Sequence, residues 1–348
     1  MGLVNRFSRF QERRKLKKIT MADVAQMANV SKSTVSQYLN HRYEYMSEDT
    51  RTRIEEAIAT LGYRPNILAR SLKQKKTSTI GVIVANILHM FSTQVIRAIE
   101  DVCSSEDINV IVCNADDNPE KEKKYIEMLR AKQVDGLVVF PTGDNLELYE
   151  SMKKEKYPLI FVDRMVKGMN IPSVLLDNET ASEMAVDHLY SRGYRRIAML
   201  TTPLDKGITP RVERVEGYKK ALKERSLIVP PGYIKGVKLT DMQNVLEEMF
   251  NQPEVPEALF SGNDLTLLEI LKFVKKKGMS IPRDLALISI DEVSFSEIYE
   301  PSLTIISQPA FEMGKYAAEK LLEQIRSNAK PDPMNVRFSP SIVVRKST

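Results

Sequence analysis

The sequence predicts an α/β chain in two parts. A small all-helical N-terminal module with a helix-turn-helix and a hinge helix precedes two doubly wound parallel-sheet subdomains. Three observations carry this prediction. Helix-capping residues recur at close spacing over residues 20–62. Nearly continuous apolar strands alternate with helical stretches over the last roughly 270 residues, the pattern of parallel sheets covered on both faces. Charge is divided unevenly as well. Residues 1–76 carry 16 Lys/Arg against 7 Asp/Glu, and the other 272 carry 35 against 39, so a net +9 segment precedes one of −4. That asymmetry points to a polyanionic partner for the basic end.

Within the helical module, Thr20 can cap a first helix that runs to about Ala28. Asp23, at its third position, can reach back as in a capping box. Asn29 occupies the turn, because Asn tolerates the left-handed conformation that ends helices. Ser31 caps a second helix through Leu39, and the gap of about three residues is that of a helix-turn-helix. Ser47 caps a third, with Glu48 and Asp49 in the first turn where the helix dipole favours acids. Ile54, Ala57, Ile58 and Leu61 form its apolar stripe, and Gly62 ends it. The second helix offers Lys32, Ser33, Thr34, Ser36 and Gln37, groups of the kind that read base edges and hold phosphates. The same hydroxyls serve equally well as caps and ordinary surface. Past Pro65, Asn66 can cap one or two turns containing Arg70, Leu72 and Lys73. A helix this short is marginal alone. Leu72 among cations suits an apolar wedge in the minor groove, or else a solvated linker whose leucine packs on the next domain.

The remaining strands are predicted over 79–86, 109–114, 136–140, 159–163, 173–177, 196–200, 258–261 and 285–291, with helices between them. Ligands of such sheets bind beyond the carboxyl ends of the strands. There the first subdomain places Asn86, His89, Phe91, Ser92, Asp116, Thr142, Asp163 and Arg164. The second places Thr201, Thr202, Lys206, Ser261, Asn263, Asp264 and Asp291. This set suits a polar small molecule such as a sugar, held in the cleft between the subdomains. Arg164, Lys206, Arg211 and Arg214 add the positive charge that an anionic ligand needs. Strand-end capping and salt bridges between subdomains are the competing role for each residue.

Other classes find no support. No phosphate-cradling or nucleophile-elbow motif is present, and no nucleophile and base pair stands out, so no catalytic residue is assigned. Cys103 and Cys113 read as packing residues and His188 as structural. Three histidines and two cysteines, scattered, offer no metal site, and no cofactor is expected. Two cysteines make no disulfide framework, no apolar run is long enough to span a membrane, and the basic start lacks a signal-peptide core. The expectation is a cytoplasmic protein without membrane contact.

The segment Ile19–Asn40 closely resembles the N-terminal signature of LacI/GalR-type transcriptional regulators, through Asp23-Val24-Ala25, Ala28-Asn29-Val30-Ser31, Thr34-Val35-Ser36 and Leu39-Asn40. Gly62-Tyr63-Arg64-Pro65-Asn66 with Ala69-Arg70-Ser71-Leu72 looks like the family's hinge. Further matches include Val134-Asp135-Gly136-Leu137, Asp163-Arg164, Asp177-Asn178, Arg214-Val215-Glu216-Gly217-Tyr218, Asn263-Asp264, Ile281-Pro282-Arg283-Asp284 and Gln308-Pro309, so the resemblance covers about residues 18–345.

The resemblance implies a homodimeric repressor on pseudo-palindromic double-stranded operator DNA, with a periplasmic-binding-protein-like core that senses an effector. It puts Lys32, Ser33 and Gln37 at base-reading positions, Leu72 at the intercalating leucine with Lys73 beside it, Arg214 and Asp291 at effector contacts, and Phe91 near the aromatic of that pocket. The full DNA-contacting set is then Thr20, Lys32, Ser33, Thr34, Ser36, Gln37, Asn40, Asn66, Arg70, Leu72 and Lys73. The effector set is His89, Phe91, Ser92, Asp163, Arg164, Arg214, Asn263, Asp264 and Asp291. There are departures from the family pattern: Gln37 stands where many members carry Arg, Ala181 replaces a common Gly, and Ser289 and Glu292 alter the end of their strand. His89-Met90-Phe91-Ser92 replaces a typical Asn-Pro-Phe-Phe-like stretch.

The expected domains are a basic extension over 1–17 without fixed structure, a DNA-binding domain over 18–65, a hinge over 66–77 and a core over 78–348. The core divides into one subdomain of about 78–175 and 305–335 and another of about 176–304 and 336–348. No leucine heptad follows Val343-Val344, which favours a dimer over a tail-bundled tetramer. The cationic cleft, and a fainter likeness to regulators of sugar-acid catabolism, favour a sugar acid or sugar phosphate as effector, with purines and neutral sugars as alternatives. A sugar-binding receptor without DNA function is the rival reading; the +9 module opposes it.

Overall fold

The computed structural model describes residues 19–63, 77–327 and 335–348. It divides into two compact units, Met1–Thr77 and Ser78–Thr348.

Among the described residues the first unit holds three helices, α1 (Met21–Met27), α2 (Lys32–Leu39) and α3 (Glu48–Leu61), where the caps place them. Thr20 and Asp23 form a reciprocal capping box, and the Ser31 and Ser47 side chains accept from Thr34 N and Thr50 N. Asn29 takes a left-handed φ of 52°, and Gly62 one of 60° at the end of α3. Val24, Ala25, Val35, Ile54, Ala57 and Tyr63 make a core that no single helix could bury alone. Arg53 Nη1 donates to Ala28 O at 3.1 Å and ties α3 to the end of α1.

The second unit is built on two six-stranded sheets. The first consists of β1 (Thr79–Val84), β2 (Asn109–Asn114), β3 (Gly136–Val139), β4 (Leu159–Val162), β5 (Ser173–Leu176) and β11 (Asn335–Phe338). Its order is β11-β5-β4-β3-β1-β2, all parallel. One face is covered by α4 (Met90–Ser104) and α11 (Ala310–Ser327), the other by α5 (Pro119–Ala131) and α6 (Leu146–Lys154). Gly314 lets α11 approach α4 closely, since a Cβ there would stand 2.6 Å from Val95 O.

The second sheet consists of β6 (Ile197–Thr201), β7 (Ile234–Gly236), β8 (Ala258–Ser261), β9 (Ala286–Ile290), β10 (Thr304–Ser307) and β12 (Ser341–Val343). Its order is β12-β10-β9-β8-β6-β7. It is parallel except that β12 runs antiparallel to β10 at one edge, an edge strand the all-parallel expectation did not contain. Helices α7 (Asn178–Ser191) and α8 (Thr209–Glu224) cover one face; α9 (Met242–Phe250) and α10 (Asp264–Lys277) cover the other.

The chain crosses between subdomains three times, after β5, β10 and β11. The expected boundaries at 304/305 and 335/336 each cut through a strand. β10 belongs to the second sheet, where Ile305 pairs with Ser289, and β11 to the first, where Arg337 pairs with Leu175. The true crossings lie in the loops just after these strands. Non-local pairing partners decide this, and local periodicity does not encode them.

Candidate functional site

In the first unit, the groups that α2 presents fall into two kinds. The Ser31 hydroxyl lies 2.6 Å from Ser33 Oγ and 2.8 Å from Thr34 Oγ1 while it caps the helix. Asn40 Nδ2 donates back to Ser36 O at 2.6 Å, and Thr20 is engaged with Asp23. Five of the expected DNA-contacting residues, Thr20, Ser33, Thr34, Ser36 and Asn40, are thus tied into the ends of α1 and α2. Lys32 and Gln37 are exposed, and among the described residues neither has a hydrogen-bond or ion-pair partner in its side chain. They are the open donors of the helix. Asn66, Arg70, Leu72 and Lys73 lie outside the described residues.

In the second unit, one cleft at the carboxyl ends of both sheets gathers eight of the nine expected effector residues. His89, Phe91, Ser92, Asp163 and Arg164 line it from the first subdomain, and Arg214, Asn263 and Asp291 from the second. Asp264, the ninth, bonds to His89 at the rim. Phe91 and Phe140 meet edge to face at 6.3 Å and form an apolar wall. The space left among these side chains is about 40 Å³, room for a few water molecules only. A sugar-sized ligand therefore needs the lobes to part or the side chains to re-pair.

Ion pairs across the cleft hold it shut. Asp117 accepts from Arg164 at 2.6 Å within its own lobe and from Arg211 of α8 at 2.7 Å across the cleft. Burial pushes the Asp117 carboxyl up, but the two guanidinium charges prevail and hold it below the usual range. Asp264, the first residue of α10, bonds to His89 Nδ1 at 2.5 Å and accepts from Met90 N at 2.8 Å, so it caps α4 from the opposite lobe. Burial disfavours the His89 imidazolium, yet the hydrogen bond and charge of Asp264, with Asp291 and Asp163 behind it, raise its pKa. Arg337 of β11 adds a pair to Glu213 of α8 at 2.6 Å.

Two charged groups remain deeper in. Arg214 is 5% exposed and donates to Asn178 Oδ1 at 2.9 Å and Gly262 O at 2.7 Å, both neutral acceptors. Asp291 is 5% exposed and is pushed up to about 6, first by burial and then by Asp264, against the opposing pull of Arg214, Gln308 and His89. Gln308 Nε2 donates to Asp291 at 2.5 Å, and its Oε1 is buried without a partner, as is Thr202 Oγ1. Both residues line the cleft, so two oxygens there are left without a hydrogen-bond partner among the described residues.

The expected effector set omits Asp117 and Gln308, while Arg211 is expected only as one of the cleft cations. Asp117 is a loop residue beyond β2 at a left-handed φ of 52°, and nothing local marks it. Gln308 belongs to the Gln308-Pro309 motif, which is a usable signal. Thr142 and Asp116 go elsewhere: Thr142 N donates to buried Glu122, and Asp116 pairs with Lys121.

Residues 20–66 match the family described as bacterial regulatory proteins, lacI family. Residues 77–341 match the periplasmic binding proteins and sugar binding domain of the LacI family. The chain belongs to the LacI family. It is a DNA-binding transcriptional regulator. Relatives include the probable HTH-type transcriptional regulator EndR of Paenibacillus polymyxa, 48% identical over 307 residues, or 88% of this chain and 90% of that one. Another is the HTH-type transcriptional regulator KdgR of Bacillus subtilis, 32% identical over 334 residues and covering 94% and 97% of the two chains. These relatives are regulators, not enzymes. Among solved structures, the lac repressor dimer bound to operator and the anti-inducer ONPF is 26% identical, with a TM-score of 0.83 over 95% of this chain and 99% of that one. As in a LacI-family regulator, the head-piece matches the first family and the two-lobed core the second. No helix among the described residues is long and apolar enough to cross a membrane.

Proposed function

We propose that this LacI-family regulator is a homodimeric repressor of carbohydrate catabolic genes, controlled by a sugar acid or sugar phosphate held between its core subdomains. On this reading Lys32, Ser33 and Gln37 face the bases of a pseudo-palindromic operator, whose symmetry mirrors the dimer, and Leu72 with Lys73 serves at the hinge. The effector shifts operator affinity only by its differential affinity for two core states, typically about 1–3 kcal/mol of coupling.

Arg214 is the observation that supports an anionic effector. It is a buried guanidinium whose hydrogen bonds go to neutral oxygens. The other cleft cations already share Asp117. The unpaired oxygens of Thr202 and Gln308 call for hydroxyl donors, which a sugar skeleton supplies.

The test is calorimetric titration of the full chain with sugars, the matching sugar acids and sugar phosphates, and purines, repeated on Arg214→Ala. An acid or phosphate should bind the wild type, and the variant should bind it about tenfold to a hundredfold more weakly, the value of a charge-assisted hydrogen bond. A neutral sugar that binds as well as its acid, with both equally affected by the substitution, would overturn the anionic reading.

A further inference from the structure

Asp117 lies in the turn between β2 and α5. Asp116 and Asp117 are consecutive residues at a left-handed φ of 52°, a conformation that residues other than glycine adopt infrequently. Two anchors hold Asp117 there. Its N–H donates to Ala85 O at 2.7 Å, and its carboxylate is gripped by Arg164 and Arg211. That carboxyl stays below the usual range despite its burial, because the two guanidiniums make a place that receives negative charge well.

The three partners are not equally free to leave. The Arg164 and Arg211 side chains are 6% and 11% exposed, whereas that of Asp117 is 30% exposed. The carboxylate stands at the rim and can turn to water. The guanidiniums are enclosed, and each needs an acceptor where it is. Arg164 keeps a second acid in its own lobe, Asp163 at 3.4 Å. Arg211 has, besides Asp117, the Pro203 carbonyl oxygen at 3.2 Å. Parting the lobes breaks the bond from Arg211 to Asp117, since the two belong to different lobes. It leaves Arg211 without a charged hydrogen-bond partner among the described residues. Arg214 follows three residues later on α8, which sets the two side chains at neighbouring positions on one helix face. Both line the cleft, and Arg214 bonds only to neutral oxygens.

We propose that Asp117 is a built-in stand-in for the effector's acid group: in the shut cleft it fills the place at Arg211 that a carboxylate or phosphate of the effector takes over, held between Arg211 and Arg214. The inference rests on the anionic reading above and adds Arg211 to the residues that select the effector. Asp117 is then an internal competitor. An acid or phosphate repays the bond that it displaces. A neutral sugar leaves Arg211 without a counter-charge and is rejected for that reason.

The test uses the full chain and inorganic phosphate, the smallest anion of the proposed class, titrated at constant ionic strength. Asp117→Asn keeps an acceptor oxygen for the guanidiniums and removes the competing charge. With Asp117 filling the site in about nine of ten molecules, the variant should bind phosphate about tenfold more tightly than the wild type. Adding Arg211→Met should abolish that gain. Phosphate should also raise the urea midpoint of Asp117→Asn by more than that of the wild type, because a ligand stabilises the form that binds it. This second measurement stays readable if the variant is less stable. Equal phosphate affinity in the wild type and Asp117→Asn, with loss in Arg214→Ala, would overturn the stand-in and leave the anionic reading in place. If neither the wild type nor Asp117→Asn binds phosphate, the stand-in falls as well, and the sugar-acid titration of Arg214→Ala judges the anionic reading separately. A gain that survives Arg211→Met would put the anion elsewhere and refute the proposal too.

Discussion

The two surfaces proposed to bind DNA and effector use polar side chains in opposite ways. On α2, Lys32 and Gln37 stand in water with nothing to release before they meet a partner. In the core cleft, nearly every charged group is already paired: Arg164 and Arg211 share Asp117, His89 holds Asp264, and Gln308 holds Asp291. DNA binding at the first surface exchanges counterions and hydration for phosphate and base contacts, so it should be salt-dependent and close to additive. Ligand binding at the second must exchange one set of internal bonds for another. It should be coupled across the lobes and dependent on pH. The difference suits a regulator whose DNA reader needs to be ready while its sensor needs two states.

The largest expected effect comes from breaking the paired surface. Asp117→Ala leaves two nearly buried guanidiniums facing each other, which should destabilise the core by about 3 kcal/mol. Urea unfolding reads the loss, and adding Arg211→Met should recover part of it. An unchanged midpoint for the single variant would show that the cleft pairs are no firmer than surface ones and would erase the contrast.

A smaller effect tests the pH dependence. Asp291 is raised from near 4 to about 6 by burial. Its protonated form is favoured in the folded state, so its contribution to stability is full below about pH 4 and is lost as pH rises through 6. Asp117 and Asp264, held below the usual range, act in the opposite sense and lose theirs as pH falls. Asp291→Asn, whose amide can pair with a turned Gln308 side chain, should flatten the pH dependence of the urea midpoint between about 4 and 6 relative to wild type. Identical slopes would remove Asp291 from the account.

The smallest effect belongs to the head-piece. Thr20→Ala removes one half of the capping box of α1 and should cost about 1 kcal/mol. Amide exchange should quicken in the first unit alone, and faster exchange in the core as well would mean that the two units do not unfold separately.

How much of this could be read in advance depended on the distance between partners in the chain. The caps Thr20, Ser31 and Ser47, the left-handed Asn29 and the stop at Gly62 each act within four residues, so the head-piece helices emerge at their expected limits. Eight of the twelve described core strands were legible from their apolar runs, whereas the short β7, β10, β11 and β12 were not, and the strand-end rule brought eight of nine effector candidates to one cleft. What was hidden was which strands pair. β11 joins a sheet whose other strands all lie before residue 177, and β12 caps its sheet antiparallel.

The sequence by itself determined the helix-turn-helix, the alternation of strands and helices, and the kinds of residue that end the strands, because these depend on local propensity, periodicity and side-chain chemistry. Only the tertiary structure decided that Asp117 bridges two arginines from opposite lobes, that Asp264 caps a helix 174 residues earlier in the chain, and that Gln308 faces Asp291 with one oxygen left unpaired. Those contacts depend on how the two lobes pack, and burial sets their strength by removing the water that would otherwise have screened them.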